Sequence, residues 1–348
     1  MNNNSVFTLS ETILTRNSKF GILLILEPPS LLCNFIFVFY LIIDHNLRVA
    51  IHHHVILALL IVSLLTNLIE IPRILHYLRI GIVTPQTTMS CLMWQWCDYL
   101  LYGQANVLML WASFERHILV FHSRFVSTTR GRLFIHYLPL FLIIIYLILF
   151  YTIVILIYPC KRNFDFELPL CGQPCFTDYS ILSLYDLFIH SWLPTFFIAI
   201  LSVSLVVRVI NRKRTLLQQD IPWRKHRRMI LQLLSISCLY LICMGPYTLI
   251  QVIDLLVGLP DGAEYIKNVY FFYVYWLLTL LLPYTCIGCL PEVRHTGNKI
   301  SYKHFGTCDS YFISSDTMSL KKFQGFTIYP NRDISKTQKK CPEDFLLY

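Results

Sequence analysis

The sequence predicts an all-α membrane protein, a bundle of seven transmembrane helices with its N-terminus outside and its C-terminus inside. Of the 348 residues, 55% are hydrophobic and only 14% are charged, which is too apolar for an ordinary soluble protein. Seven apolar runs have the length of a membrane-spanning helix, about 20 residues. Basic residues concentrate after alternate runs, and this asymmetry orients the predicted bundle.

The predicted organisation is an outer segment of residues 1–20, a bundle over residues 21–291, and a largely disordered cytoplasmic tail of residues 292–348. No early apolar segment ends in a small-residue cleavage site, so we expect the first helix to direct insertion. Asn3 opens a glycosylation sequon if this end is outside. The runs cover about residues 21–43, 53–77, 91–122, 134–158, 181–210, 229–257 and 268–290.

Polar residues interrupt the first two runs. Asn34, in the first run, is expected to hydrogen bond a neighbouring helix. Glu70, Arg73 and His76 recur every three residues near the outer end of the second run, on one gently drifting face. We expect these three side chains to pair with one another, with a place at the mouth of a pocket as the alternative.

The third run, from Cys91 to His122, organises the chain. A cysteine lies at one end of this apolar stretch and Glu115-Arg116-His117 at the other. As a helix, the stretch from Cys91 to Arg116 spans about 37 Å, more than the roughly 30 Å hydrocarbon core. The cysteine and the charged triplet are therefore expected at opposite membrane faces.

Asp98 lies five whole helical turns from Arg116, so both side chains share one face of the third run. A charge that faces lipid costs about 3 kcal/mol or more, so this face is expected to point into the bundle. Residues close to the same line are Tyr102, Ala105, Met109 and Ala112.

The later runs contain prolines, which remove a helical hydrogen bond and kink the helix. The fifth run carries Asp186, His190 and Pro194, the sixth carries Cys243-Met244-Gly245-Pro246, and the seventh carries Pro283. Eight basic residues and a single acid lie from Arg208, near the end of the fifth run, to Arg228, just before the sixth run, which indicates a cytoplasmic loop.

Cys91 and Glu115-Arg116-His117, at the two ends of one helix, resemble the third helix of rhodopsin-like (class A) G-protein-coupled receptors. Further matches to that family are Asn34, Arg48, Pro72, Pro194, Cys243, Pro246 and Pro283. Departures are Ser63 for an acid, Met244 for a Trp, Leu282 and Cys286 in the N-P-x-x-Y motif, and a missing Trp in the fourth run. The chain is thus similar to a divergent member, and a family-type sodium site is in doubt.

The resemblance implies a multi-pass cell-membrane receptor that binds an extracellular small molecule or peptide and activates a heterotrimeric G protein. It implies a disulfide from Cys91 to the second outer loop, with Cys171 or Cys175 favoured over Cys160. Arg116 is expected to pair with Glu115 at rest. The implied coupling and switch residues are Glu115, Arg116, His117, Cys243, Met244, Pro246 and Pro283.

Asp98 occupies a position similar to that at which amine receptors of the family hold a ligand ammonium, and nearby aromatic rings would add cation–π attraction. The candidate ligand-binding set is Asp98, Trp94, Tyr102, Asp186, His190, Tyr247, Phe272 and Trp276. The alternative is that Asp98 pairs internally, with Arg73 or His190.

Other classes fit less well. A retinal-binding light receptor needs a lysine in the seventh run, and residues 268–290 have none after Lys267. A membrane transporter, the alternative function, tends to show repeats and broken Gly-rich helices, which a chain with 12 glycines lacks. We expect no enzyme, cofactor, metal or nucleic-acid partner. The triplet His52-His53-His54 is interpreted as a polar loop end, because adjacent helical residues point in different directions.

Overall fold

The computed structural model describes residues 13–43, 45, 52–121, 128–216, 223–257 and 272–289. These described residues form seven helices and no strand. The helices are α1 (Ile13–Ile43), α2 (His52–Ile80), α3 (Thr88–Phe121), α4 (129–157), α5 (180–216), α6 (Trp223–Val257) and α7 (Phe272–Cys289). Wider π-helical turns lie within α4, at Leu133–Tyr137 and Thr152–Ile157, and within α5, at Leu187–Trp192.

The largest departure from the predicted bounds is at the first helix. Helix α1 begins at Ile13, so it includes the end of the predicted outer segment, and it continues without a break through Pro28 and Pro29. Residues 13–20 contain neither glycine nor proline, so nothing in them stops the helix. Predictions for Asn3, Arg48, the loop at 258–267 and the tail at 292–348 fall outside the described residues.

Five of the described helices are long and apolar enough to cross a membrane. The qualifying segments are Ile13–Ile43, His53–Ile80, Arg130–Ile157, Ser180–Arg208 and Leu234–Asp254. The described part of α7 offers a shorter apolar segment, Tyr273–Cys286. Helix α3 is 34 residues long, but the polar residues along it lower its hydropathy. The predicted all-helical fold is therefore confirmed, and five of its helices have the length and apolarity that a membrane span needs.

Helix α3 lies at the centre of the packing. It contacts α2, α4, α5 and α6, while α1 packs on α2 and α7, and α6 packs on α7. Asp98, Met109, Ala112 and Arg116 on its predicted inward face are all buried. Large apolar side chains are exposed on the outer faces of the peripheral helices, as on α4 at Phe141, Leu142 and Leu149. Such faces suit contact with lipid.

Two disulfides fix the loop between α4 and α5. Cys91 at the start of α3 is bonded to Cys171, so the disulfide to this loop is present. Cys175, the other candidate partner, is bonded to Cys160 instead. Sequence reasoning missed this second bridge, which lies within the loop itself.

The same loop is anchored to the ends of α2 and α3. Gln95 on α3 donates from Nε2 to the carbonyl oxygens of Leu170 and Gly172, at 2.9 and 3.2 Å. Tyr77 on α2 donates to the carbonyl oxygen of Glu167 at 2.9 Å. Leu170 and Cys171 adopt positive φ angles of 58° and 56° and are buried, so the loop folds inward at this point. The loop therefore covers this end of the bundle.

Small polar side chains join α1, α2 and α7. Asn34 is hydrogen bonded to Ser63 at 3.0 Å, and Ser63 donates to the carbonyl oxygen of Thr279 at 3.1 Å. A second link joins Asn67 to Ser30 at 3.2 Å. The predicted interhelical hydrogen bond of Asn34 is confirmed, and Ser63 links it to α7.

Candidate functional site

A buried hydrogen bond between charged and aromatic side chains joins α2 to α3 below the loop. The indole Nε1 of Trp94 donates to Oε2 of Glu70 at 2.7 Å, and both side chains are buried. The expected pairing of Glu70 with Arg73 and His76 is wrong. Three-residue spacing turns successive side chains by about 60°, so Glu70 faces α3 while His76 is exposed and hydrogen bonded to Thr84.

Asp98 lies one helical turn after Trp94 on α3 and is only 7% exposed. Among the described residues it forms no hydrogen bond or ion pair, and its Oδ1 is buried without a partner. Oε1 of Glu70 and Nη1 of Arg73 are buried without a hydrogen-bond partner as well. The alternative pairing of Asp98 with Arg73 is therefore not formed.

The charges of these three side chains act on one another although no direct contact joins them. Asp98 repels Glu70, whereas Arg73 attracts it. The Trp94 hydrogen bond and the packing of α2 on α3 place Glu70 beside the turn of α3 that precedes Asp98. We call Glu70, Arg73 and Asp98 the outer charge cluster.

Aromatic side chains surround the outer charge cluster. Tyr102, one turn after Asp98, packs edge-on against Tyr275 of α7, with ring centroids 5.1 Å apart, and its hydroxyl is hydrogen bonded to Ser191 of α5 at 2.6 Å. Tyr247 of α6 is half-buried and lies within the electrostatic influence of Asp98. Two of the predicted ligand residues, Trp94 and Tyr102, thus lie one helical turn before and after Asp98 on α3.

Helix α7 contributes a different residue from those predicted. Tyr275, which sequence reasoning missed, meets Tyr102, whereas Trp276 is buried against Tyr273 with centroids 5.1 Å apart. The ammonium of Lys19 lies 3.8 Å from the centroid of the Tyr273 ring. Phe272 begins α7, and its side chain lies outside the described part of the structure. The seventh run has aromatic residues on all sides of the helix, so hydrophobic spacing does not indicate which of them points into the bundle.

Asp186 and His190 face α4 rather than Asp98. They are hydrogen bonded to each other at 2.9 Å; Tyr151 of α4 donates to Asp186 at 2.7 Å, and Tyr146 is hydrogen bonded to His190 at 2.9 Å. The π-helical turn Leu187–Trp192 changes the helical phase at this point. The alternative pairing of Asp98 with His190 is therefore not formed.

A polar link below this level joins α3, α5 and α6. Asn106 of α3 donates from Nδ2 to the carbonyl oxygen of His190 at 3.0 Å and accepts from the hydroxyl of Tyr240. A π-helical turn frees backbone carbonyls from the regular ladder, which explains this acceptor. Sequence reasoning missed both Asn106 and Tyr240, since only the three-dimensional packing joins them.

The other end of α3 holds a second buried polar cluster. Glu115 is hydrogen bonded to Nδ1 of His136 on α4, and Nε2 of His136 is joined to Nδ1 of His54 on α2 at 2.9 Å. We call Glu115, His136 and His54 the inner histidine cluster. The histidine triplet is not a loop end but the first turn of α2, and His53 is buried there as well.

Glu115 thus has a salt-bridge partner that the resemblance did not imply. Its carboxylate contacts His136, while Arg116 is fully buried and attracted by Glu115 electrostatically. The next residue, His117, is hydrogen bonded through Nε2 to the carbonyl oxygen of Leu201 at 2.8 Å, which ties α3 to α5. The predicted triplet therefore contacts two other helices, α4 and α5.

The predicted switch residues of α6 and α7 are buried except for Pro246. Cys243 and Met244 are buried and Pro246 is exposed, and α6 continues through the proline. Thr248 donates from its hydroxyl to the carbonyl oxygens of Met244 and Gly245, at 3.1 and 3.0 Å. These bonds adjoin Pro246, which has no backbone N–H to donate. Pro283 is buried inside α7.

The described residues contain no group of three or more His, Cys, Asp or Glu side chains placed to hold a metal ion. Chemically, the outer charge cluster offers carboxylate and guanidinium groups to a ligand, and the inner histidine cluster offers proton-accepting and proton-donating groups. No protein-family model and no curated protein sequence matches the chain.

Proposed function

We propose that this protein is a G-protein-coupled receptor of the rhodopsin-like type, in the cell membrane, that binds an extracellular ligand and activates a heterotrimeric G protein. One observation carries the proposal. Helix α3 bears buried Asp98 beneath a disulfide-anchored loop at one end and buried Arg116 at the other, both on its inward face. A ligand bound at Asp98 and a G protein bound at Arg116 would therefore contact the same helix.

The outer charge cluster supports a ligand site. Buried charges without direct partners are costly, so chains retain them where a ligand supplies the partner. Trp94, Tyr102 and Tyr247 give the surrounding wall the aromatic character that suits organic cations. The loop anchored by Gln95 covers the cluster, so a ligand would enter beside or beneath it.

The inner end of α3 supports a coupling site. Arg116 is buried at the end of the helix where basic loop residues accumulate, which the positive-inside rule assigns to the cytoplasm. Pro246 in α6 and Pro283 in α7 each remove a helical hydrogen bond, so the two halves of each helix can pivot at the proline. A ligand that binds one arrangement of these helices better shifts the balance by that difference in affinity.

Seven membrane spans, with the N-terminus outside, follow from the same reasoning. Helix α3 has 34 residues, about 51 Å of helix, and its polar side chains Gln95, Asp98 and Gln104 are buried by neighbouring helices. Such a helix crosses a bilayer inside a bundle without facing lipid. Helix α7 packs on α1, α2 and α6 and closes the ring.

The test is G-protein activation in cells that express the full chain, measured with subunit-dissociation reporters against libraries of amines, amino acids and peptides. We expect ligand-dependent activation that Arg116→Ala abolishes while surface expression stays near the parent level. Arg79→Ala, an exposed arginine on α2, is the matched control. Equal signalling by Arg116→Ala and the parent overturns the proposal. Ligand-dependent uptake without a G-protein response overturns it in favour of a transporter.

A further inference from the structure

The outer charge cluster contains charges of both signs, and we propose that its ligand is a small zwitterion that carries an ammonium and a carboxylate beside an aromatic or apolar body. This inference deepens the proposed receptor function and rests on it for its biological meaning. The carrying observation is that Glu70, Asp98 and Arg73 each have a buried polar atom without a hydrogen-bond partner.

The three side chains are brought to one place by the packing of α2 on α3. The 2.7 Å hydrogen bond from Trp94 to Glu70 fixes the level at which the two helices face each other. Arg73 follows Glu70 by three residues on α2, and Asp98 follows Trp94 by four residues on α3. Arg73 therefore lies about one helical turn from Glu70 along α2, and Asp98 lies about one turn from Trp94 along α3.

Two other acidic side chains of the described residues have direct hydrogen-bond partners. Asp186 accepts hydrogen bonds from Tyr151 and His190, and Glu115 is hydrogen bonded to His136. Glu70 and Asp98, by contrast, each keep a buried carboxylate oxygen without a partner. Such oxygens are available to a ligand that donates hydrogen bonds.

The signs of the charges select the ligand. A ligand ammonium donates to carboxylate oxygens of Asp98 and Glu70, and a ligand carboxylate accepts from the planar guanidinium of Arg73. A simple amine leaves the guanidinium unsatisfied, and a simple acid leaves two carboxylates unsatisfied. Each unsatisfied buried charge costs free energy, so a molecule with both groups binds best.

The walls define the ligand's body and size. Trp94, Tyr102 and Tyr275 present aromatic surface around the cluster, which favours a cation flanked by an aromatic ring. Above the cluster, Leu170 is buried and its carbonyl oxygen is held by Gln95, so the anchored loop limits the space for a long peptide. An aromatic amino acid fits these requirements.

The test is direct ligand binding to the full-length protein in lipid nanodiscs, by thermal-shift titration and without any G protein. Four probes share one ring: L-phenylalanine, L-phenylalanine amide, 2-phenylethylamine and 3-phenylpropionate. We expect L-phenylalanine to bind at least about tenfold more tightly than each of the other three. Equal or tighter binding of 2-phenylethylamine, or no binding by any of the four probes, overturns the proposal.

Variants assign each ligand group to its partner. Arg73→Gln should weaken L-phenylalanine binding by about tenfold and leave the amide unchanged, so that the preference for the free carboxylate disappears. Arg73→Lys keeps the positive charge and should retain part of that preference. Asp98→Asn should weaken L-phenylalanine and its amide equally. Arg79→Gln and Asp178→Asn, both exposed, are matched controls that should change neither titration.

The outcomes separate this proposal from the receptor function. Binding of L-phenylalanine with the expected variant pattern, but without G-protein activation, supports the zwitterion site and overturns the coupling proposal. Activation by 2-phenylethylamine at concentrations where L-phenylalanine is inactive supports the receptor and overturns the zwitterion site. If Asp98→Asn destabilises the unliganded protein and added Arg73→Gln restores it, the charges serve each other and the zwitterion site is overturned.

Discussion

Glu115 on α3 is hydrogen bonded to His136 on α4, and both side chains are buried. His136 in turn contacts His54 of α2 at 2.9 Å, so one imidazole bridges three helices. The carboxylate of Glu115 therefore has a hydrogen-bond partner on α4 besides its electrostatic attraction for Arg116, the neighbouring residue that the proposed mechanism directs toward a G protein.

Replacing the bridging imidazole of His136 should destabilise the protein. His136→Leu leaves the buried Glu115 carboxylate without its donor, at a cost of about 1–3 kcal/mol. We expect a lower unfolding temperature, and we expect Glu115→Gln to restore part of it because an amide does not need a charged partner. The measurement is the thermal unfolding midpoint of the two single variants and the double variant.

The control for this cycle is His45→Leu, which changes an exposed histidine and should leave the midpoint unchanged. Additive effects of His136→Leu and Glu115→Gln would show that the two side chains do not depend on each other.

The second prediction concerns the outer disulfides. Non-reducing peptide mapping of surface-expressed protein should recover Cys91 with Cys171 and Cys160 with Cys175. Cys91→Ser should lower stability by about 2–5 kcal/mol, the usual cost of losing a structural disulfide, and reduce surface expression. Cys238→Ser, at an exposed free cysteine, should have no comparable effect. Recovery of Cys91 as a free thiol would contradict the structure.

The central helix could be predicted from the sequence because its signals are periodic. The spacing of Asp98 and Arg116 in an apolar run determines a shared face, and the burial of both bears out that face. Asn34 as an interhelical hydrogen-bonding residue followed from the cost of burying an unpaired amide. Each of these inferences depends only on the spacing and polarity of residues within a single helix.

Contacts between helices were harder to predict because they depend on the rotation of two helices. The π-helical turns of α4 and α5 change that rotation by an amount that hydrophobic spacing does not encode. His136 and His190 both lie in such turns, and their partners were missed or misassigned. Tyr275 was missed because neighbouring aromatic residues give α7 no distinct inward face.

The third prediction tests the closest approach of α3 and α4. A methyl group on Gly103 would lie 2.8 Å from a ring carbon of Tyr151, a side chain that is buried and hydrogen bonded to Asp186. Gly103→Ala should therefore destabilise the protein by about 1–3 kcal/mol, despite the higher helix propensity of alanine. Chemical or thermal unfolding checks this. Gly21→Ala, where the added methyl meets open space, should be neutral or stabilising. Equal stability of the two variants would disprove the close packing.

The last prediction concerns the hydrogen bond that positions the outer charge cluster. Trp94→Phe keeps the buried ring but removes the N–H that donates to Glu70 at 2.7 Å. Hydrogen bonds to charged groups contribute about 1.5–3 kcal/mol, so the variant should lose that much stability. Trp96→Phe is the matched control, because Trp96 donates to the neutral hydroxyl of Thr152 at 3.1 Å and should lose only about 0.5–1.5 kcal/mol.

Pairing each tryptophan variant with Glu70→Gln separates the charged contact from general packing. The Trp94→Phe and Glu70→Gln changes should be non-additive, because the first removes a donor that only the charged form of Glu70 strongly needs. The Trp96→Phe and Glu70→Gln changes should add, since those side chains share no contact. The unfolding free energies of the five variants give both coupling terms. Additive effects in both pairs would mean that Trp94 packs beside Glu70 without stabilising its carboxylate. The hydrogen bond would then not determine how α2 and α3 are aligned.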